Sequence, residues 1–135
     1  MERHWISLTN LWNVYLYTSF SFKKNDDKYI IASLKGYLNF PNQLKACKKK
    51  KKEIVREISS VITSAKKKKY DSRYKKLDDG KSIAYISDFI VDGGEIRVWC
   101  ENWSKETEIK RNWIDGLAVS AGSDEFAKWR DTESR

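Results

Sequence analysis

Asp88 and the tripeptide Glu95-Ile96-Arg97 place two carboxylates and a guanidinium on either side of a short Asp-Gly-Gly turn. Carboxylate oxygens are the ligands that Mg²⁺ prefers, and a magnesium ion beside a cation can support phosphodiester cleavage. The same residues are also explained by acids near a turn and by a charge pair between neighbouring strands. Asp88, Glu95 and Arg97 are therefore candidates for metal chemistry that have a purely structural alternative.

The spacing resembles the Asp…Glu-x-Lys arrangement of restriction-type nucleases, with Arg97 in place of the lysine. Other catalytic sets find less support, because His4 is the only histidine and stands beside the N-terminus. A positioned base, a Cys–His pair and a zinc site of the His/Cys type all need more of these residues. We therefore predict a protein without catalytic residues, metal ligands or a cofactor. A magnesium nuclease ranks third among the functions that the sequence suggests.

Two cysteines, Cys47 and Cys100, are too few for a disulfide framework. Cys47 lies beside lysines that would favour its thiolate, but it also falls on an apolar helical stripe. We expect both residues to be reduced and buried as small hydrophobic side chains. A bridge or a reactive thiol is the alternative.

Lysine runs at 48–52 and 66–69 flank a segment with helical apolar periodicity. Five successive helical residues turn through about 400°, so the first run cannot lie entirely on a polar face, and Lys51 is placed on the buried stripe. Cations at a helix N-terminus oppose its dipole, whereas cations at the C-terminus suit it. The leading run is therefore the stronger candidate for contact with an acidic partner. Its members are Lys48, Lys49, Lys50, Lys51 and Lys52.

The positive charge is concentrated in one part of the chain. Residues 42–81 contain fifteen of the 27 basic residues and five of the nineteen acidic ones, a balance of +10, while the remainder sums to −2. An anionic partner should therefore meet the segment 45–76 first, although charge runs commonly serve solubility alone. Tyr70, Arg73 and Tyr74 interleave aromatic rings with this charge, a pattern that also suits nucleic acid.

Alternation of apolar and polar residues predicts two β-hairpins, at about 11–40 and 82–101. Helical spacing predicts helices at about 42–69, 105–121 and 124–132, although Gly116 and Val119 leave 112–121 open as a strand. The expected fold is one α+β domain over 1–135, a mostly antiparallel sheet packed against helices.

The second strand of the later hairpin has two different faces. Ile96, Val98 and Cys100 alternate with Arg97, Trp99 and Glu101. Tryptophan and arginine side by side are typical of protein interfaces. We therefore add Arg97, Trp99 and the nearby Trp103 to the candidate binding residues, together with Arg73, Tyr70 and Tyr74.

Aromatic residues make up 13% of the chain, which favours a globular protein over a disordered one. The apolar stretch at 11–22 is interrupted by Asn, Thr and Ser, so it fits neither a signal peptide nor a transmembrane span. The expected location is the cytoplasm.

The segment GEIRVWCENWSKETEIKRNWIDGLAVSAGSDEFAKW, residues 94–129, resembles small bacterial immunity proteins, the cognate inhibitors of toxins used in contact-dependent growth inhibition. The resemblance implies a non-enzymatic protein that binds and neutralises a toxin. Immunity proteins against basic nuclease toxins tend to be acidic, whereas this chain has a net charge of +8. Its toxin should therefore present an acidic surface, and a nucleic-acid-binding protein is the alternative.

Overall fold

A seven-stranded antiparallel sheet forms the centre of the computed structural model, which describes residues 2–9, 15–25, 27–28 and 30–133. In spatial order the strands are β1, β2, β3, β7, β6, β5 and β4. The bounds are β1 Glu2–Thr9, β2 Tyr15–Phe22, β3 Ile31–Asn39, β4 Lys66–Arg73, β5 Ile83–Val91, β6 Gly94–Asn102 and β7 Gly116–Ser123. The helices are α1 Leu44–Val61, α2 Lys75–Asp78, α3 Lys105–Arg111 and α4 Asp124–Glu133. The predicted α+β class is confirmed.

Both predicted hairpins are present. β2 pairs with β3 in the register Thr18↔Gly36, and β5 pairs with β6 in the register Asp88↔Arg97. Gly93 adopts a φ of +79° in the second turn, a conformation that glycine reaches without a steric penalty. The part of the first hairpin prediction at 11–14 lies outside the described residues.

Helix α1 covers one face of the sheet. Its side chains pack on a core of Cys47, Phe89, Val98, Cys100 and Leu117. The apolar stripe passes through Lys51 as predicted, and this lysine is only 6% exposed. Among the described residues, no helix combines the length and apolar character needed to cross a membrane.

The cysteine prediction was half right. Cys47 and Cys100 are both buried, but they form a disulfide, with their Cα atoms 6.1 Å apart. The helical stripe that buries Cys47 also sets it against the apolar face of β6, where Cys100 points. We expected two reduced thiols because the sequence alone does not show that the apolar stripe of α1 packs on the apolar face of β6.

The predicted helix at 42–69 ends at Val61, and Lys66–Lys69 begin strand β4 instead. β-Branched residues and Thr63-Ser64 weaken the helix after Val61. β4 pairs with β5 and forms one edge of the sheet, so it supplies hydrogen-bond partners to the β5 backbone. The structural rationale for the trailing lysines as a helix C-terminus was therefore wrong.

The predicted helix at 105–121 is also divided. Ser104 caps α3 as expected, since its hydroxyl accepts a hydrogen bond from the Thr107 backbone N–H at 3.2 Å. Asn112 ends the helix in a left-handed conformation, and residues from Gly116 onward form β7, the alternative that the sequence left open. Because β7 lies between β3 and β6, Leu117 is buried, whereas Ile109 on α3 is 84% exposed. The terminal helix is confirmed as α4.

Candidate functional site

The sheet face opposite α1 carries a polar and aromatic cavity of about 810 Å³. Alternation along β3 and β6 points one set of side chains into it, while their neighbours point to the α1 core. α4 bounds the cavity at one side, and the segment from Ser72 to Leu77 bounds it at another. The sheet contributes Ser33, Lys35, Tyr37, Arg97, Trp99, Glu101 and Ser120.

Trp103 is the centre of an aromatic cluster on the cavity wall. Its ring centroid lies 5.0 Å from that of Tyr74 and 4.8 Å from that of Trp113, both in tilted geometry. Such pairs contribute about 0.5–1.5 kcal/mol beyond the area they bury. Three stacking surfaces from three separate segments of the chain are therefore held together.

Trp99 and Lys35 form a second group within the cavity. The Lys35 ammonium lies 4.8 Å from the Trp99 ring centroid and 5.4 Å from that of Tyr37, within the range of a cation–π interaction. Trp99 Nε1 donates to the Glu101 carboxylate at 2.8 Å. Tyr37 donates its hydroxyl proton to the Ile114 carbonyl at 2.7 Å, and burial together with the nearby Glu101 raises the pKa of Tyr37 far above its ordinary value.

Arg97 is fixed by its cross-strand neighbour Asp88. Arg97 Nε and Nη2 donate to the two Asp88 oxygens at 2.7 and 2.9 Å, and Nη2 also donates to the Tyr70 hydroxyl at 2.8 Å. Burial alone would lower the pKa of Arg97, but the hydrogen bonds to Asp88 hold that pKa above its ordinary value. The Nη1 atom is buried and has no hydrogen-bond partner among the described residues.

Glu95, the other carboxylate of the nuclease-like pattern, forms an ion pair with Arg130 of α4. One of its oxygens also lies 3.8 Å from Arg97 Nε. Each carboxylate thus has an arginine partner, and across the described residues no three His, Cys, Asp or Glu side chains group as a metal site would require. The cross-strand charge pair of the structural alternative is present between Asp88 and Arg97, whereas Glu95 is paired with a residue of α4.

The cavity lining is strongly cationic. Six basic side chains contribute to it, against a single carboxylate, that of Glu101. Asp88 and Glu95, which lie outside the lining, pair with Arg97 and Arg130, so the net positive charge of the lining comes mainly from the other four basic residues. The basic residues are Lys35, Arg73, Lys75, Lys76, Arg97 and Arg130.

A buried carboxylate holds the wall of this cavity in place. Asp78 at the end of α2 accepts hydrogen bonds from the Ser82, Ser104 and Thr107 hydroxyls at 2.5, 2.6 and 3.0 Å. Burial on its own raises the pKa of Asp78, but these hydrogen bonds lower that pKa well below its usual range. The network ties α2 and the start of α3 to β5, and so fixes the segments that carry Tyr74 and Trp103.

The predicted binding residues separate onto two surfaces. Five of them line the cavity, and Tyr70 hydrogen-bonds to one of the five. The lysine run on α1 lies on the other side of the sheet, where Lys51 is buried and the Lys48 ammonium sits 3.7 Å from the Tyr85 ring centroid. The five cavity residues are Arg73, Tyr74, Arg97, Trp99 and Trp103; the remaining exposed lysines are Lys49, Lys50 and Lys52.

Sequence reasoning missed several cavity residues, above all Lys35, Tyr37, Trp113 and Arg130. The alternation along 29–40 already placed Lys35 and Tyr37 on the polar face of their strand, which was a usable signal. Trp113 lies within the helix predicted at 105–121, but α3 ends at Arg111. Nothing in the sequence indicated that α4 would bring Arg130 to the same cavity.

Comparison with known proteins finds no relative for this fold and site. No protein-family model matches the chain, and neither the curated proteins nor the solved structures contain a significant match.

Proposed function

We propose that this protein is a non-enzymatic binding protein of the toxin-immunity kind, which neutralises a partner by holding an acidic surface of it in the cationic cavity. One observation carries the proposal: the cavity combines six basic side chains and six aromatic rings with one carboxylate. The rings belong to Tyr37, Tyr74, Trp99, Trp103, Trp113 and Phe126.

Residue types and rigidity both support a binding role. Tryptophan, tyrosine and arginine dominate the energetics of protein interfaces, and their contribution is largest where they are held in place before binding. Here Trp103 is packed between two other rings, and Arg97 is fixed by Asp88. These two side chains therefore lose little conformational entropy when a partner binds.

The exposed lysines of α1 would act at longer range. Lys49, Lys50 and Lys52 are exposed on the side of the sheet away from the cavity, so a partner in the cavity does not touch them directly. Their charges add to the positive field that attracts an acidic partner during encounter. We therefore assign these lysines to steering and the cavity residues to affinity.

A cytoplasmic location belongs to the same proposal, and the disulfide provides a check on it. Disulfides persist in oxidising compartments and are rare in the cytosol. If the protein acts in the cytoplasm, Cys47 and Cys100 should be alkylated as free thiols when cells are quenched in acid and the protein is then denatured in the presence of the reagent. Finding them bonded there would contradict the proposed location.

The function is tested by growth rescue. The C-terminal domain of whatever protein the gene immediately upstream encodes, the candidate toxin, is expressed with the wild-type protein, with Lys35→Glu, with Trp113→Ala or with Ile109→Ala. The wild type and Ile109→Ala, which removes an exposed apolar side chain away from the cavity, should restore growth. The two cavity variants should restore it less. Full rescue by the cavity variants, or none by the wild type, would reject the proposal.

A second candidate, a nucleic-acid-binding protein, is favoured by the Tyr74–Trp103–Trp113 cluster beside Arg73. Aromatic side chains next to cations form stacking platforms for single-stranded nucleic acid. The candidate predicts binding at physiological salt with a preference for sequence or structure. Weak binding that salt abolishes would reject it, because any protein this basic binds polyanions at low salt.

A further inference from the structure

Arg97 lines the cavity and has one hydrogen-bond donor that is not used within the described residues. The residue is 3% exposed, and its Nη1 has no acceptor among the described residues although Nε and Nη2 are both engaged. Buried polar groups in folded proteins are nearly always hydrogen-bonded, and a charged donor prefers an anionic acceptor. A small shift of the buried guanidinium toward the cavity would let an anion there supply the acceptor that Nη1 lacks.

A second guanidinium lies near the first. Arg130 also lines the cavity, and its positive charge repels that of Arg97, although the hydrogen bonds to Asp88 outweigh this effect on the pKa of Arg97. Glu95 bonds to Arg130 and lies 3.8 Å from Arg97 Nε, so it offsets part of this repulsion. An anion entering the cavity would offset the remainder.

The sheet register arranges cavity side chains in two adjacent rows. Arg97, Ser120 and Lys35 stand opposite one another across β6, β7 and β3, and form a row of donors. Trp99 and Tyr37 stand in the next row on the same face, with Ala118 between them. Successive same-face rows are separated by about 6.6 Å, twice the rise per residue of a strand.

These two rows match one kind of ligand. A planar ring laid against Trp99 and Tyr37 would place a charged substituent over the donor row, where Lys35 and Arg97 lie. The cavity volume of about 810 Å³ is within the range of small-molecule sites. The Lys35 ammonium now lies over the Trp99 ring, so a ligand ring that stacks there would displace the ammonium toward the ligand's anion on the donor row.

We propose that the cavity binds a small planar aromatic compound that carries a carboxylate or a phosphate, with its ring on the Trp99 row and its anion on the row of Arg97, Ser120 and Lys35. This inference goes beyond the proposed protein partner and does not depend on one. A loss of toxin neutralisation would leave it standing, and a failure to bind small ligands would leave the immunity proposal standing.

The test uses the full chain, tryptophan fluorescence and titration calorimetry at constant ionic strength. Adenosine monophosphate and indole-3-carboxylate are the two probes, and they separate a phosphate from a carboxylate ligand. We expect one of them or both to bind saturably at one molecule per chain. Inorganic phosphate alone and indole alone should bind about ten-fold more weakly, because each engages only one of the two rows.

Matched lysine variants locate the site. Lys35→Met should weaken binding about ten-fold through loss of a charge-assisted hydrogen bond, and Lys35→Glu should abolish it. Lys45→Met removes an exposed lysine from α1, on the other side of the sheet, and should leave binding unchanged. Equal losses in Lys35→Met and Lys45→Met would overturn the proposal, as would the absence of saturable binding up to about 10 mM.

Discussion

Lys51 places an ammonium group on the apolar side of α1. It is 6% exposed, and burial followed by the nearby charge of Lys69 lowers its pKa from 10.5 to about 8. The folded protein therefore releases this proton more readily than the unfolded chain does. At pH 7 the folded state carries a charge that its surroundings disfavour.

Lys51→Met should raise the free energy of unfolding at pH 7 by about 2 kcal/mol, because the apolar side chain keeps the packing without the buried charge. In the wild type, stability should rise as the pH increases from about 8 toward 10.5, since the unfolded state binds more protons over that range. The difference between the two proteins should therefore shrink in the same range. Urea unfolding at pH 7 and pH 9.5 measures it, with exposed Lys52→Met as the control.

The buried charge of Asp88 stabilises the fold, in contrast to that of Lys51. It is 4% exposed and accepts two hydrogen bonds from Arg97 and one from Tyr70. Asp88→Ala should lower the free energy of unfolding by about 3–5 kcal/mol, because it leaves the Arg97 guanidinium buried without its counter-ion. Asp92→Ala, in the exposed turn of the same hairpin, should change stability by less than about 0.5 kcal/mol. A small effect of Asp88→Ala would show that the pair is not structural.

At the scale of elements, the disulfide links α1 to the centre of the sheet. Cys47 and Cys100 are 53 residues apart in sequence, so their bond closes a long loop in the unfolded chain. Cys47→Ala with Cys100→Ala should lower the free energy of unfolding by about 2–4 kcal/mol relative to the oxidised protein. Thermal melts with and without reductant measure this, and the double variant should show no response to reductant. Equal melting temperatures of the wild type in both conditions would contradict the expectation.

An element could be predicted from the sequence when the residues that determine it are close to one another in the chain. The hairpin at 82–101 was found because alternation and a glycine turn are both local to it. β4 was missed because a strand that begins with four lysines forms only by pairing with β5, which local propensity does not report. β7 was ambiguous for the same reason, since its neighbours β3 and β6 are distant in sequence.

The candidate site was predictable to the extent that it lies on one strand. Arg97 and Trp99 were found from the alternation of β6, and Trp103 from its place just beyond that strand. The cavity itself was not predicted, because it needs Lys35 from β3, Tyr74 from the β4–α2 segment and Arg130 from α4 to meet. Such a meeting depends on the strand order, which no local pattern in the chain specifies.

At the scale of the whole molecule, positive charge occupies both sides of the sheet. The α1 lysines lie on one side and the cavity on the other, joined around the edge strand β4, whose four leading lysines are all exposed. Lysines on an edge strand also hinder pairing with other chains, which gives the trailing run a structural reason. The two basic surfaces should therefore affect different steps of binding.

Charge reversal on α1 and truncation in the cavity should separate these steps. Changing Lys49, Lys50 and Lys52 to Glu should slow association with an acidic partner by about five-fold or more and flatten its salt dependence. Trp113→Ala should instead speed dissociation and leave the association rate nearly unchanged. Surface plasmon resonance at several salt concentrations measures both rates. An unchanged association rate in the charge-reversed protein would contradict a steering role.

The position of β7 has a consequence for how the chain is made. β7 leaves the ribosome after the other six described strands, yet it occupies the middle of the sheet, between β3 and β6. Until residues 116–123 have been synthesised, the two halves of the sheet each present an unpaired edge toward the other. Non-local pairing of this kind is slow, and exposed strand edges favour aggregation. We therefore expect the growing chain to depend on chaperones until residues 116–123 have been synthesised.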